Sequence, residues 1–585
     1  MVNIAEFAMG FVACIRRKVR IAEYISLEGL LLFNLVLGYV LFSALHLCGI
    51  SAPRCSLMAA TAVCMMLSLF RGWRFTALYF ALFAFCLIAT CFTFSYVDSD
   101  AITVHYPCQA LLADGWNPIY ERTPDAVLRY GVDGSRWAFY IAFMPKATAA
   151  CGAMVAKTFG LFAGDAFLGY ALCISLFLMS WRFVAAVWKS SGRTAKFVFA
   201  IAMTFSPQFP SVLSGKVDYT VHAAFAIACL SAALIWHSKD RRDYLVFLSS
   251  LVIAATSKAL ALAFAVYLMM CLGVVCRKSA SVRWLLLAAV MLIVVCGFSP
   301  FFTAWATQDA IDITSDFVAN ADGARMGIVS RTIYAWFSKW FAVKGCAMVF
   351  SKPDFSPSLA CLGGGDLEGF GTLFRVLMTL SVIALAFSKR TVAFWVAIFV
   401  FVASSLIPPK YIGYARYTPQ MIIIPAIAFF NFAYAPIDYL GRFRCAWQVI
   451  RFCIVMFLIC FHGMFCIRTA AIGVRYLATE ADRQTAIDEI KAHGPINLPA
   501  EGNKYVLARR LRAGGVKISK DKARPRLPKM SMMMMIDTND SEAREKFINS
   551  KYPFCFHIAD FTKFHWSEAL FNLPRPIYNN ATANE

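Results

Sequence analysis

From Leu30 onward the chain is built from long apolar runs separated by short charged or turn-forming connections, with little of the strict alternation that marks strands. The runs lie near 29–50, 56–70, 75–96, 166–188, 195–213, 219–237, 244–257, 259–276, 283–300, 372–388, 391–407, 418–435 and 449–467. Most are about 15 to 24 residues long, and a helix needs roughly 20 to cross a hydrocarbon core about 30 Å thick. A backbone in lipid must satisfy its own hydrogen bonds, so such runs predict helices. The expected fold class is therefore a mainly α, polytopic membrane protein with about thirteen transmembrane helices. The stretch Trp137–Phe159 is also apolar, but Pro145 and Lys146 interrupt it. It predicts helices lying along, or dipping into, the outer interface.

Charge orients the pattern. Arg16, Arg17, Lys18 and Arg20 precede an apolar run too long for a cleaved signal peptide, which predicts a retained first span and a cytoplasmic amino terminus. The inward connections then carry Arg71/Arg74, Lys189/Arg193/Lys196, Lys239/Arg241/Arg242, Arg277/Lys278/Arg283, Lys389/Arg390 and Arg442/Arg444/Arg451, as the positive-inside bias requires. The same parity puts 97–165, 301–371, 408–417 and the tail outside. Three regions follow: an amino-terminal cytoplasmic segment with the first transmembrane hairpin (1–74), the main membrane region (75–467) and a soluble extracytoplasmic domain (468–585). In the tail, Glu480–His493 and Ser541–Ser550 read as helices and Met530–Ile536 and Tyr552–Ala559 as strands, predicting a small α/β domain. The Met532–Met535 run reads as strand packing rather than soft-metal binding.

Composition narrows the function classes. Sixty per cent of the residues are hydrophobic and 15% charged, against roughly 25% charged in soluble domains, which excludes an ordinary soluble enzyme. A formal charge of +22 would fit a nucleic-acid partner. Its confinement to short clusters between apolar runs argues against one. Most of the 20 cysteines sit inside apolar runs, where they act as small packing residues. Cys108, Cys346, Cys361 and Cys555 fall outside the runs, and a Cys346–Cys361 bridge is compatible with their placement. No CxxC pair stands at zinc-site spacing.

The candidate chemistry gathers on the outward side. Asp98 and Asp100 follow the third run, then come His105 and the turn Gly115-Trp116-Asn117-Pro118 with Tyr120. Two carboxylates at a membrane exit make a site, although the same residues also serve as markers of the water boundary and as helix caps. Lys216 and Asp218 open the sixth run, with His222 one turn on. Lys258 separates two apolar runs, where a bare ammonium in hydrocarbon would cost at least ~2.5 kcal/mol, so an anion should meet it unless it snorkels to the interface. Lys410, Arg416 and Tyr417 precede the twelfth run on the side the charge bias disfavours, and suit a phosphate or lipid headgroups. Gly363–Gly371 supplies glycines that allow backbone amides close to an anion, or serves as a hinge.

Taken in order, Asp100 with His105 and Pro107, Gly115-Trp116-Asn117-Pro118 with Tyr120, Lys216/Asp218, Lys258 and Arg416-Tyr417 with Pro419 resemble the GT-C class of integral-membrane glycosyltransferases. The resemblance covers most of residues 75–435. It is to enzymes that use polyprenyl-phosphate sugars, in the branch of the protein O-mannosyltransferases and aminoarabinose transferases. It implies a carboxylate base on the first outer loop, Asp100 or Asp98, and cations for the lipid phosphate from Lys258, Arg416, Lys216 and Lys410. Asp218, Tyr417, His105, Trp116 and Asn117 would contact substrate. It also implies inversion at the sugar and a lipid, glycan or protein acceptor on the periplasmic side of a bacterial inner membrane. No cofactor is implied beyond a divalent cation, Mg2+ or Mn2+, which the Asp98/Asp100 pair would suit through bridging waters. In a continuous helix His105 falls off the Asp100 face and reads as structural or substrate-contacting rather than as a ligand. Two other classes fit some of the same residues: a transporter or flippase of an anionic lipid-linked sugar, and a polysaccharide ligase or polymerase centred on 301–371.

Overall fold

The computed structural model describes residues 25–91, 104–306 (except 122, 131, 133–134, 162, 207–208, 210–211 and 213–216), 341–344, 347–350, 372–405, 419–436 and 445–459. In the tail it describes 487–488, 490–492, 494–497, 508–509, 511–512 and 514–519.

The protein is mostly helical, and all thirteen apolar runs are occupied by helices. In chain order these are α1 (Leu27–Leu47), α2 (Pro53–Leu69) and α3 (Trp73–Cys91), then the loop helices α4 (Tyr106–Ala113), α5 (Pro124–Arg129), α6 (Ser135–Phe143) and α7 (Ala147–Phe159). They continue as α8 (Asp165–Val187), α9 (Arg193–Thr204), α10 (Asp218–His237), α11 (Arg242–Ser257), α12 (Ala259–Val275) and α13 (Ala280–Ala306). The last are α14 (Thr372–Ala386), α15 (Val392–Ser405), α16 (Ile423–Tyr434) and α17 (Cys445–Ile459). Five of them, namely α1, α3, α8, α10 and the Ala280–Gly297 part of α13, are long and apolar enough to cross a membrane. The others at apolar runs are shorter. Two four-residue strands, β1 (Phe341–Lys344) and β2 (Ala347–Phe350), pair antiparallel with Phe341 opposite Phe350.

Local chemistry sets the helix ends. The Ser26 hydroxyl accepts from the Gly29 amide at 3.2 Å, and Glu28 occupies the first turn, where the helix dipole favours a carboxylate. Pro53 starts α2 at a position that needs no amide donor. α7 ends on Gly160 in the left-handed conformation, φ 71°, which a glycine adopts without a Cβ clash.

The bundle is assembled around α1, α8, α10 and α11. Almost the whole of α10 is buried, against α8 and α11. α11 and α12 form a tight reversal at Lys258. Ala261, near the start of α12, packs with Val217 and Val221 at the start of α10, whereas Val275 and Trp236, at the far ends of α12 and α10, border one trough. One end of the bundle thus gathers Glu28, Arg182, Asp240, Asp243, Trp188, Lys389 and Asn431. The opposite end gathers His46, Leu47, Asn117, Asp218 and Lys258.

The break at Pro145–Lys146 is present, and Ala147 to Ala156 of α7 is buried by protein on every face. The reason is size. Ala147, Ala149, Ala150, Cys151, Gly152 and Ala153 let α2, α4 and α8 close onto it. A Cβ on Gly152 would lie only 2.8 Å from the Asp165 amide nitrogen and would collide with the Gln109 side chain.

Of the tail, helical residues at 487–488 and 490–492 fall within the helix expected at Glu480–His493, and Ile496 bridges Ile518 in parallel. Arg509 donates to the Ala110 carbonyl at 2.9 Å and pairs with Asp114 at 2.6 Å, joining the tail to the loop that follows α3. The strands expected at 530–536 and 552–559 and the helix expected at 541–550 lie outside the described residues.

Candidate functional site

Lys258 is the single residue between α11 and α12, and its extended backbone (φ −150°, ψ 137°) ends one helix while its carbonyl accepts the Ala261 amide of the next. That turn aims its ammonium at the first turn of α10. Lys258 Nζ lies 2.7 Å from Asp218 Oδ1, with side-chain exposures of 17% and 7%. The anion anticipated for Lys258 is therefore supplied from within the chain, 40 positions away. Asp218 is stabilised by its place in the first helical turn as well as by the ammonium. One turn further in, the His222 ring is fully buried, 3.4 Å from the Met203 carbonyl and beside Tyr219, whose hydroxyl donates to the Thr204 carbonyl at 3.1 Å. The arrangement is a cation and a carboxylate held at one end of the bundle over a packed aromatic floor.

Trp116 and Asn117 have structural partners. The Trp116 indole is buried and donates to the Glu121 carbonyl at 3.0 Å. Asn117 donates through Nδ2 to the His46 carbonyl at the end of α1, 2.9 Å away, and accepts from the Ile119 amide at 3.0 Å. Tyr120 donates to the Leu47 carbonyl at 2.6 Å. Gly115 turns the chain at φ 103°, a conformation that favours glycine. The Gly-Trp-Asn-Pro turn is thus the joint that fastens the first outer loop to the end of the first span. His105 sits at the entry to α4, half-buried.

Asp98, Asp100, Lys216, Lys410, Arg416 and Tyr417 lie outside the described residues, as do Gly363–Gly371 and the Cys346/Cys361 pair. Pro419, two positions after Tyr417, begins a 3-10 turn, Pro419–Ile422, that packs against α10, the helix that carries Asp218.

Two clusters escape a reading based on motifs. Lys146, at the break between α6 and α7, is buried and donates to the carbonyls of Ile141 at 2.7 Å, Ala142 at 3.2 Å and Met144, with Trp116 stacked 5.7 Å from its nitrogen. Burial pulls its ammonium down to about 8. At the end of the bundle opposite Lys258, Arg182 joins Glu28, Asp243 at 2.7 Å and Asp240 at 3.5 Å, tying α1, α8 and α11 together. The available signal for the second cluster was Arg182 itself, a lone charge inside an apolar run.

No family model, curated protein or solved structure matches the chain. Among the described residues, no group of three or more His, Cys, Asp or Glu is arranged to hold a metal ion.

Proposed function

We propose that the chain is an integral-membrane glycosyltransferase that moves a sugar from a polyprenyl-phosphate donor to a hydroxyl-bearing acceptor at the outer face of a bacterial inner membrane. The observation that supports this reading is the Lys258–Asp218 pair at the outward rim, where a donor phosphate would arrive at the lipid–water boundary. The acceptor oxygen attacks the anomeric carbon from the face opposite the phosphate. The bond from that carbon to the phosphate oxygen breaks, the hydroxyl proton passes to the Asp100 carboxylate, and polyprenyl phosphate leaves with inverted sugar stereochemistry in the product. Asp100 acts as base, with Asp98 as its alternate. Lys258, together with Arg416, Lys216 and Lys410, meets the charge that accumulates on the leaving phosphate. Asp218 keeps the Lys258 ammonium charged and fixed in direction.

Purified full-length protein in detergent, given a polyprenyl-phosphate sugar and an envelope extract as acceptor, should consume donor and release polyprenyl phosphate. Donor that stays chemically intact while crossing vesicles containing the protein would establish a transporter instead.

A further inference from the structure

A trough of about 340 Å3 opens on the lipid-facing side of the bundle between α10, α12 and α15. Ligand pockets usually fall at roughly 300–1,000 Å3. Its floor is made by Ala232 and Ala233 and its walls by Leu272, Trp236, Trp395 and Phe399, and all of its lining is aliphatic, aromatic or thiol-bearing. In a membrane, such a concavity takes up hydrocarbon. What selects the occupant is its inner mouth. Trp236, Val275 and Val392 border it there, and within three positions of them along the chain stand Lys239, Arg277, Lys278 and Arg390, all exposed. The mouth of the trough therefore faces a concentration of positive charge. Asp240, beside Lys239 in the chain, is already engaged by Arg242 at 2.7 Å and Arg182 at 3.5 Å. Trp236 and Trp395 are 40% and 45% exposed, and exposed indoles favour the headgroup level of a bilayer.

An apolar helix of a partner would fill the trough but leave these cations without counter-charge, and a zwitterionic lipid would bring its own ammonium to them. Basic sites between helices at the cytoplasmic edge suit anionic headgroups. We propose that this trough is a binding site for an anionic phospholipid of the cytoplasmic leaflet, one acyl chain lying along Ala232 and Ala233 and the phosphate gripped by the basic mouth. The site is at the opposite end of the bundle from Lys258 and does not depend on the transferase reading.

Native mass spectrometry of the full-length protein, titrated with phosphatidylglycerol or phosphatidylcholine of identical chains, tests it. Retention of phosphatidylglycerol should exceed that of phosphatidylcholine by roughly tenfold or more, since each basic residue near a headgroup contributes about 1 kcal/mol. Lys239→Ala/Arg277→Ala/Lys278→Ala should remove that preference while phosphatidylcholine retention is unchanged. Arg71→Ala/Arg74→Ala, inner-loop cations away from the trough, should leave the preference intact. Ala233→Phe should lower retention of both lipids, and Cys271→Trp at the exposed rim repeats the test if the first variant is not monodisperse. Equal retention of the two lipids by the unmodified protein, an Arg71/Arg74 variant that loses the preference, or a filled trough that binds as before would overturn the proposal.

Discussion

At the scale of single residues, the buried charges make the sharpest predictions. Removing one partner of a buried pair strands the other, a loss typically of about 3–5 kcal/mol, more than the pair contributes over an apolar replacement. Asp218→Ala should therefore lower the thermal midpoint in detergent markedly, and Asp218→Ala/Lys258→Met should restore most of it. A double variant as unstable as the single one would show that the two side chains are not coupled. Lys146 gives a pH dependence. Its ammonium is depressed to about 8 by burial, whereas an unfolded lysine titrates near 10.4. Between those values the unfolded chain holds the extra proton, so stability should rise with pH from about 8 to about 10.4 and level off above, with the penalty fully present below 8. Lys146→Met should flatten that rise, as followed by unfolding midpoints across the range.

At the scale of elements, tightness of approach and the outer joint matter most. Gly152 lets α7 meet the start of α8 with backbone nearly touching backbone. Gly152→Ala should destabilise by about 1–3 kcal/mol or more through overpacking, whereas Gly192→Ala, which has open space around it, should be close to neutral. The joint at Asn117 replaces a loop's loose attachment with a hydrogen bond to the carboxyl end of α1. Asn117→Ala should cost about 1–3 kcal/mol and increase hydrogen exchange across 114–121, while leaving exchange in α10 as it was.

These same elements mark how far the sequence could be read. Apolar runs were legible because lipid tolerates only internally bonded backbone, and every one of the thirteen contains a helix. Lys258 was legible as a charge in need of a partner. Its partner was not, because the closeness of position 218 to position 258 is set by the α11–α12 reversal and not by spacing along the chain. The enclosure of α7 is not legible for a related reason: alanine, glycine and cysteine look the same whether they face lipid, headgroups or other helices, and only the packing of α2, α4 and α8 shows them covered by protein. Trp116 and Asn117, placed by resemblance among substrate contacts, have their polar groups taken up by Glu121, Ile119 and the His46 carbonyl.

At the scale of the whole molecule, the protein is a polarised bundle. Its inner end is bound together by Arg182, Glu28 and Asp243, and its outer end carries the Lys258–Asp218 pair, the Gly-Trp-Asn-Pro joint and the Arg509 contact from the tail. In the proposed reaction the carboxylate at position 100 removes the acceptor proton. The most direct measurement is the rate of polyprenyl phosphate release from a polyprenyl-phosphate sugar by purified Asp100→Asn protein, with donor binding measured on the same sample. A fall of about 10²- to 10⁴-fold in turnover with donor affinity preserved is the predicted result. Turnover equal to that of the unmodified protein would contradict it.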